Sequence, residues 1–211
     1  MQTNLEVFAR KNAPTVKEYQ ELFGMIQDQT GRLSHLSEVL LDMTGIQSIE
    51  RSDSISLAEL ADEVCCDLAS IADQKKVELI QEEGDCTVTG SYLLLYRAVY
   101  NLVENAIKYN HSGGKVTVKI SQKKDLPAAH SKPTDYALVE VTDTGIGISP
   151  EFQEKIFDPF FRVDKSRSRA MGGAGLGLAL VNEIARQHGG QVKVLASSEQ
   201  GSTIALVLPL T

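Results

Sequence analysis

The sequence predicts an α+β protein, a two-layer sandwich of three helices against one mixed sheet, preceded by a helical segment that needs a partner. Three observations carry that expectation. Apolar residues recur at helical spacing over 57–73, 91–109 and 174–188. Short runs of strand character at 77–81, 87–89, 115–121, 136–142, 191–196 and 203–209 alternate with them. Residues 22–43 carry a separate, heptad pattern.

In chain order, Lys11–Thr15 reads as a turn with Thr15 as N-cap and Glu18 completing a capping box, so residues 4–10 would end an earlier helix and residues 15–44 form the next. On that second helix Leu22, Ile26, Gln29, Leu33, Leu36, Leu40 and Met43 form a seam with one polar interruption, at Gln29. Gly45 to Asp53 is a linker, Ile55 opens a short strand, and a polar insert with Pro127 and Pro133 joins the strands at 115–121 and 136–142. The last two strands pair as a terminal hairpin. The expected division is a partial helical hairpin over 1–50 and a folded domain over 55–211.

Composition narrows the function classes. With 21 basic against 28 acidic residues the net charge is −7, which argues against nucleic acid as a partner. No apolar run reaches about 18 residues and no signal peptide opens the chain, so a cytoplasmic piece without membrane contact is expected, compatible with an anchor elsewhere in a longer parent. Cys65, Cys66 and Cys86 lack zinc spacing and read as packing residues in a reducing compartment.

Four segments carry chemistry. At roughly 100° per residue, Asn101, Asn105 and Lys108 fall within about 60° of arc, opposite Leu95, Val99, Leu102, Val103 and Ala106. Two carboxamide oxygens and an ammonium on one stripe suit Mg²⁺ and the phosphates it bridges, although a merely solvated polar face gives the same pattern. Asp143 ends a strand on the same side as Val139 and Val141, where a carboxylate needs a donor. An adenine amino group is one such donor, and the turn at Thr144-Gly145 is the other reading. Gly172 to Gly177 run into an apolar-periodic helix, where backbone N–H groups can meet an anion, but the spacing fits neither a dinucleotide fingerprint nor a P-loop. Between them, residues 158–173 hold four basic side chains (Arg162, Lys165, Arg167, Arg169) against Asp158 and Asp164, a local surplus that attracts anions.

In this order the four segments resemble the catalytic ATP-binding domain of bacterial sensor histidine kinases: Asn101 to Tyr109 is similar to the N box, Asp143 to Gly147 to the first glycine box, Phe157 to Phe161 to the F box, and Gly173 to Gly177 to the second glycine box. The resemblance implies the histidine kinase/gyrase-type ATPase fold, with ATP and Mg²⁺ as cofactors. It makes Asn101, Asn105 and Lys108 catalytic, with Asn105 and Asn101 on the metal and Lys108 on phosphate. Tyr109 would line the nucleotide pocket, Asp143 would read the adenine amino group, and Thr203 would support the adenine site. Nucleotide contact extends by the same resemblance to Gly145, Gly147, Ile148, Phe160, Arg162, Gly173, Gly175, Leu176 and Gly177, with residues 158–173 as the lid. Ala174 departs from the threonine or serine frequent in the family.

The first fifty residues are similar to the family's dimerisation and phosphoacceptor hairpin with most of its first helix absent, so a homodimer through that hairpin and a response-regulator receiver domain are the expected partners. The family's phosphorylated histidine precedes an acid and, shortly after, a proline. His35, His111, His130 and His188 do not, so the phosphoacceptor is expected outside this sequence. His188 closes a helix, where a cation suits the dipole. Two alternatives stand: a nucleotide-sensing module, and a slow ATPase of the same fold. Gyrase-type hydrolases place a glutamate base one turn before the metal-binding asparagine. Here that position is Asn101, which cannot take a proton. A stand-alone serine kinase of the anti-sigma type fits the heptad segment poorly.

Overall fold

The computed structural model describes residues 49–124, 135–163 and 175–210, with isolated positions between Thr15 and Thr30. The heptad positions from Gln29 to Met43, His35, His130, Gly173, Ala174 and residues 164–173 of the expected lid lie outside the described residues.

Strand β1 (Asp53–Ser56) leads into helix α1 (Leu57–Lys75), followed by β2 (Glu78–Gln81), β3 (Thr87–Gly90) and helix α2 (Tyr92–Lys108). Strands β4 (Lys115–Lys124) and β5 (Asp135–Asp143), two short 3-10 turns (Pro150–Phe152 and Lys155–Phe157), helix α3 (Gly177–Gln187), β6 (Gln191–Ser198) and β7 (Gly201–Pro209) complete the described chain. The main sheet runs β2-β4-β5-β7-β6. Only β2 and β4 pair in parallel among its described neighbours, so the sheet is mixed as expected. β1 and β3 form a separate antiparallel pair.

Local chemistry explains where the elements start and stop. Ser56 caps α1, its Oγ accepting the Glu59 N–H at 3.2 Å, and the helix ends where Lys76 turns left-handed at φ 58°. Apolar spacing then turns one face of each helix inward: Leu57, Leu60, Val64 and Leu68 on α1, and Leu95, Val99, Leu102 and Val103 on α2, are all at most 2 % exposed. Each leucine so buried contributes about 1.5–3 kcal/mol relative to exposure. They pack on the inward row of the sheet, where Val116, Val118 and Ile120 of β4 oppose Asp143, Val141 and Val139 of β5. Continued into β7, the row sets Val139 beside Leu206, Val141 beside Ile204 and Asp143 beside Ser202. A polar residue thus closes a buried apolar row at the mouth of the sandwich.

His188 departs from the expected cation. Its Nδ1 lies 2.8 Å from the Ile184 carbonyl, and its Nε2 accepts the Ser91 N–H at 3.1 Å. An acceptor at Nε2 requires the neutral ring, and burial holds its pKa below the ordinary histidine value. At the start of α2 the imidazole thus takes the N–H of the N-cap residue itself, while Asp53 Oδ2 accepts the next one, from Tyr92, at 3.0 Å. Of the cysteines, Cys86 is buried and Cys65 half-buried with its thiol pushed up to about 11 by burial, as packing residues should be; Cys66 is exposed.

Candidate functional site

A cavity of about 410 Å³ opens between α2, the ends of β5 and β7, and the start of α3. The inward-facing polar stripe of α2 forms one wall through Asn101, Asn105 and Lys108, with Glu104 and Tyr109 beside them. The Asn101 side-chain N–H donates to the Arg97 carbonyl at 2.8 Å, which fixes the amide and turns its oxygen toward Gly177. A Cβ on Gly177 would stand 2.6 Å from that oxygen and 3.6 Å from Asn105 Nδ2, so glycine is what lets α3 begin this close to the two amides. The N-cap residue Leu176 gives α3 no side-chain cap, which leaves the positive end of an 11-residue helix beside them. Carboxamide oxygens next to a helix N-terminus fit a Mg²⁺-phosphate pair, because Mg²⁺ takes few protein oxygens and completes its shell with phosphate and water.

Asp143, on β5, also lines the cavity. Both sequence readings of it hold at once. Its Oδ1 accepts the Gly145 N–H at 2.7 Å, which makes the turn, while the carboxylate also lines the cavity. Burial raises its pKa above the ordinary aspartate value, against the pull of the Gly145 and Ser202 backbone N–H groups and the His111 charge. Tyr109 is half-buried against the cavity, its hydroxyl pKa raised by desolvation and drawn down by Arg162 nearby. The Lys108 ammonium lies 5.8 Å from the Tyr109 ring centroid.

The glycines have different duties. Gly147 lines the cavity at φ 68°, and a Cβ there would fall 1.8 Å from the Ser198 carbonyl oxygen. Gly145 does not line it; a Cβ would strike the Tyr109 carbonyl at 2.5 Å, so this residue serves the packing of the turn on α2. Gly175, at φ 74°, lines the cavity with Leu176, Gly177 and Ile148. Arg162 also lines it, and its Nε and one terminal nitrogen are buried with no hydrogen-bond partner among the described residues. A desolvated guanidinium with free N–H donors facing a cavity is a place for an anion.

Two expected contacts fall elsewhere. Phe160 is 59 % exposed with φ 65°, and Phe161 takes the inward place, its ring 5.7 Å from that of Phe152. Thr203 meets Thr142, Oγ to Oγ, at 3.0 Å on the outer face of the sheet, whereas Ser202 is 5 % exposed and lines the cavity. The reason is the period of a strand: Asp143 pairs with Ser202, so the side chain one residue on points to the other face. That register was the signal that could have found Ser202, and Glu104 was legible as a residue about 60° from Asn101 on the helix.

The model of histidine kinase-, DNA gyrase B-, and HSP90-like ATPases matches residues 90–211. The chain belongs to that family, and within it is an ATP-binding catalytic domain of the sensor histidine kinase type. Sensor-like histidine kinase SenX3 of Mycobacterium tuberculosis is 34 % identical over 203 residues, which cover 94 % of this chain and 46 % of that protein. The chain thus spans about half the length of the curated relatives it matches. Among solved structures, the mycobacterial sensor histidine kinase MprB superposes with a TM-score of 0.59 at 29 % identity, over 75 % of this chain and 97 % of that one. Histidine kinase ThkA in complex with response regulator protein TrrA shares the fold at a TM-score of 0.69 and 22 % identity, over 99 % of this chain and 56 % of that one. Among the described residues, no helix is long and apolar enough to cross a membrane.

Proposed function

We propose that the chain is the catalytic portion of a sensor histidine kinase that binds Mg-ATP in the 410 Å³ cavity and transfers the γ-phosphoryl group to a histidine, for relay to an aspartate of a response regulator. The observation that carries this reading is the cavity's polarity. An amide stripe, the N-terminus of α3 and Arg162, whose buried nitrogens have no partner among the described residues, line the cavity together with the half-buried Asp143, a set of groups that suits a triphosphate with an adenine. Asn101 and Asn105 would hold Mg²⁺, which neutralises charge on the phosphates when bound. Lys108 and Arg162 would hold phosphate oxygens in place, Tyr109 would cover the nucleotide, and the carboxylate of Asp143 would accept the adenine amino hydrogen bond. Catalysis is then positioning and charge stabilisation, with no proton taken by the asparagine stripe.

None of the four histidines precedes an acid, so the acceptor belongs to another segment, and residues 1–50 would supply the remainder of a dimerising hairpin. Calorimetry tests the nucleotide half. ADP and the non-hydrolysable triphosphate are expected to bind with an affinity that rises when Mg²⁺ is added, and no binding by either would end the proposal.

A further inference from the structure

Asn110 and Thr144 follow the helical stripe and Asp143 in the chain and do not line the cavity. Asn110, immediately after the helical stripe, is 7 % exposed, and both the oxygen and the nitrogen of its amide are hydrogen-bonded. The oxygen accepts the His111 N–H at 2.9 Å and the Thr144 hydroxyl at 3.3 Å, and the amide nitrogen donates to the Lys115 carbonyl at 2.9 Å. Thr144, immediately after Asp143, accepts the Lys115 N–H on its own hydroxyl at 2.8 Å, and its backbone N–H donates to the Lys115 carbonyl at 3.1 Å. Ile146 N–H adds a bond to the Tyr109 carbonyl at 3.3 Å. The fit is tight: a Cβ on Gly114 would stand 2.1 Å from Asn110 Oδ1 and 2.9 Å from the Thr144 hydroxyl, and one on Gly145 would stand 3.0 Å from the Asn110 Cα.

We infer that Asn110 and Thr144 are positioning residues that lock the base-reading end of the nucleotide site to its phosphate-and-metal end. The inference rests on the nucleotide site proposed above. Asp143 belongs to a strand and Lys108 and Asn105 to a helix, so the distance between the groups that read the two ends of one ligand depends on the junction joining those elements. A ligand that bridges both ends gains from both only if that distance is held, because a small displacement of aligned groups forfeits a large part of their advantage. The side-chain bond that spans the junction directly is Thr144 to Asn110. Neither residue touches the cavity, and each acts through its neighbour, Thr144 on Asp143 and Asn110 on Tyr109 and Lys108.

Thr144→Val removes the hydroxyl at nearly constant volume, and Thr144→Ser restores it. Titration of ADP with and without Mg²⁺, alongside thermal melting, reads the effect. Thr144→Val is expected to bind ADP about fivefold more weakly, the worth of one hydrogen bond, and to show a smaller gain in affinity on adding Mg²⁺ than the wild type. Thr144→Ser is expected to recover both. A purely structural role would lower the melting temperature and leave the Mg²⁺ gain unchanged, and that result overturns the inference. So does an ADP affinity and Mg²⁺ gain in Thr144→Val equal to wild type, or a Thr144→Ser variant as weak as valine. Should Thr144→Val fail to fold, Asn110→Ala, which removes the acceptor of the Thr144 hydroxyl, is held to the same outcomes of ADP affinity and Mg²⁺ gain. Absence of ADP binding by the wild type would instead refute the nucleotide site itself.

Discussion

Replacing Asp143 by asparagine turns one carboxylate oxygen into an NH₂ group where the other atoms leave no satisfactory choice. In the native site Oδ1 accepts the Gly145 N–H at 2.7 Å, and the Ser202 backbone N–H also stabilises the charge. If the amide keeps its oxygen on Gly145, its NH₂ faces the adenine amino group, donor against donor. If it flips, the NH₂ faces the Gly145 N–H and the turn loses its bond. The ligand therefore loses a charge-assisted hydrogen bond of about 1.5–3 kcal/mol, or roughly 10- to 100-fold in ADP affinity. The effect on stability runs the other way. Burial raises the Asp143 pKa, so the carboxyl's contribution to folding is fullest below the ordinary aspartate value and is lost as pH rises through the raised folded value. At pH 7 the charge costs the fold stability, and an uncharged amide relieves that cost. Calorimetry should show the affinity loss while melting at pH 7 shows a temperature no lower than wild type. Equal ADP affinity in the two proteins would remove Asp143 from the adenine site, and a weakened fold would void the argument from burial.

Three further outcomes follow from the geometry. Gly177→Ala places a Cβ 2.6 Å from the Asn101 side-chain oxygen, so nucleotide affinity in Mg²⁺ should fall about tenfold with affinity in chelator less affected; an unchanged Mg²⁺ dependence would contradict the metal assignment of Asn101. Gly147→Ala imposes a left-handed residue and a 1.8 Å approach to the Ser198 carbonyl, a strain of about 1–3 kcal/mol that thermal melting should read as a drop of roughly 2–12 °C. For His188, whose pKa burial holds below 6.5, stability is fully present above that pH and is lost as pH falls toward the folded value; melts across pH 5 to 8 should show this, and His188→Gln should flatten the slope.

The helices and strands were legible because burial enforces their periods, and the expected helix over 91–109 differs from the observed Tyr92–Lys108 only at its ends. The placement of Asp143 at the end of a buried row followed from the period of two alone. What the sequence hid depends on partners distant in the chain. Ser202 rather than Thr203 faces the cavity because of its register with Asp143, and Phe161 rather than Phe160 turns inward because Phe160 adopts a positive φ. The neutrality of His188 comes from Ser91, 97 residues away, which no local rule about helix ends foresees. Asn110 carries no local signal for the same reason: its partners Lys115 and Thr144 belong to β4 and to the turn after β5.

The central claim is phosphoryl transfer, and labelled Mg-ATP tests it most directly. The chain is incubated alone and with a complete sensor-kinase hairpin carrying its phosphoacceptor histidine. The account predicts no label on the chain itself and acid-labile phosphate on the supplied hairpin, slowed by orders of magnitude for want of a tethered acceptor and abolished by Asn105→Ala. Acid-labile phosphate on His35 of the isolated chain, or confirmed ATP binding with no transfer to a native hairpin, would contradict it, the latter in favour of a nucleotide-sensing module.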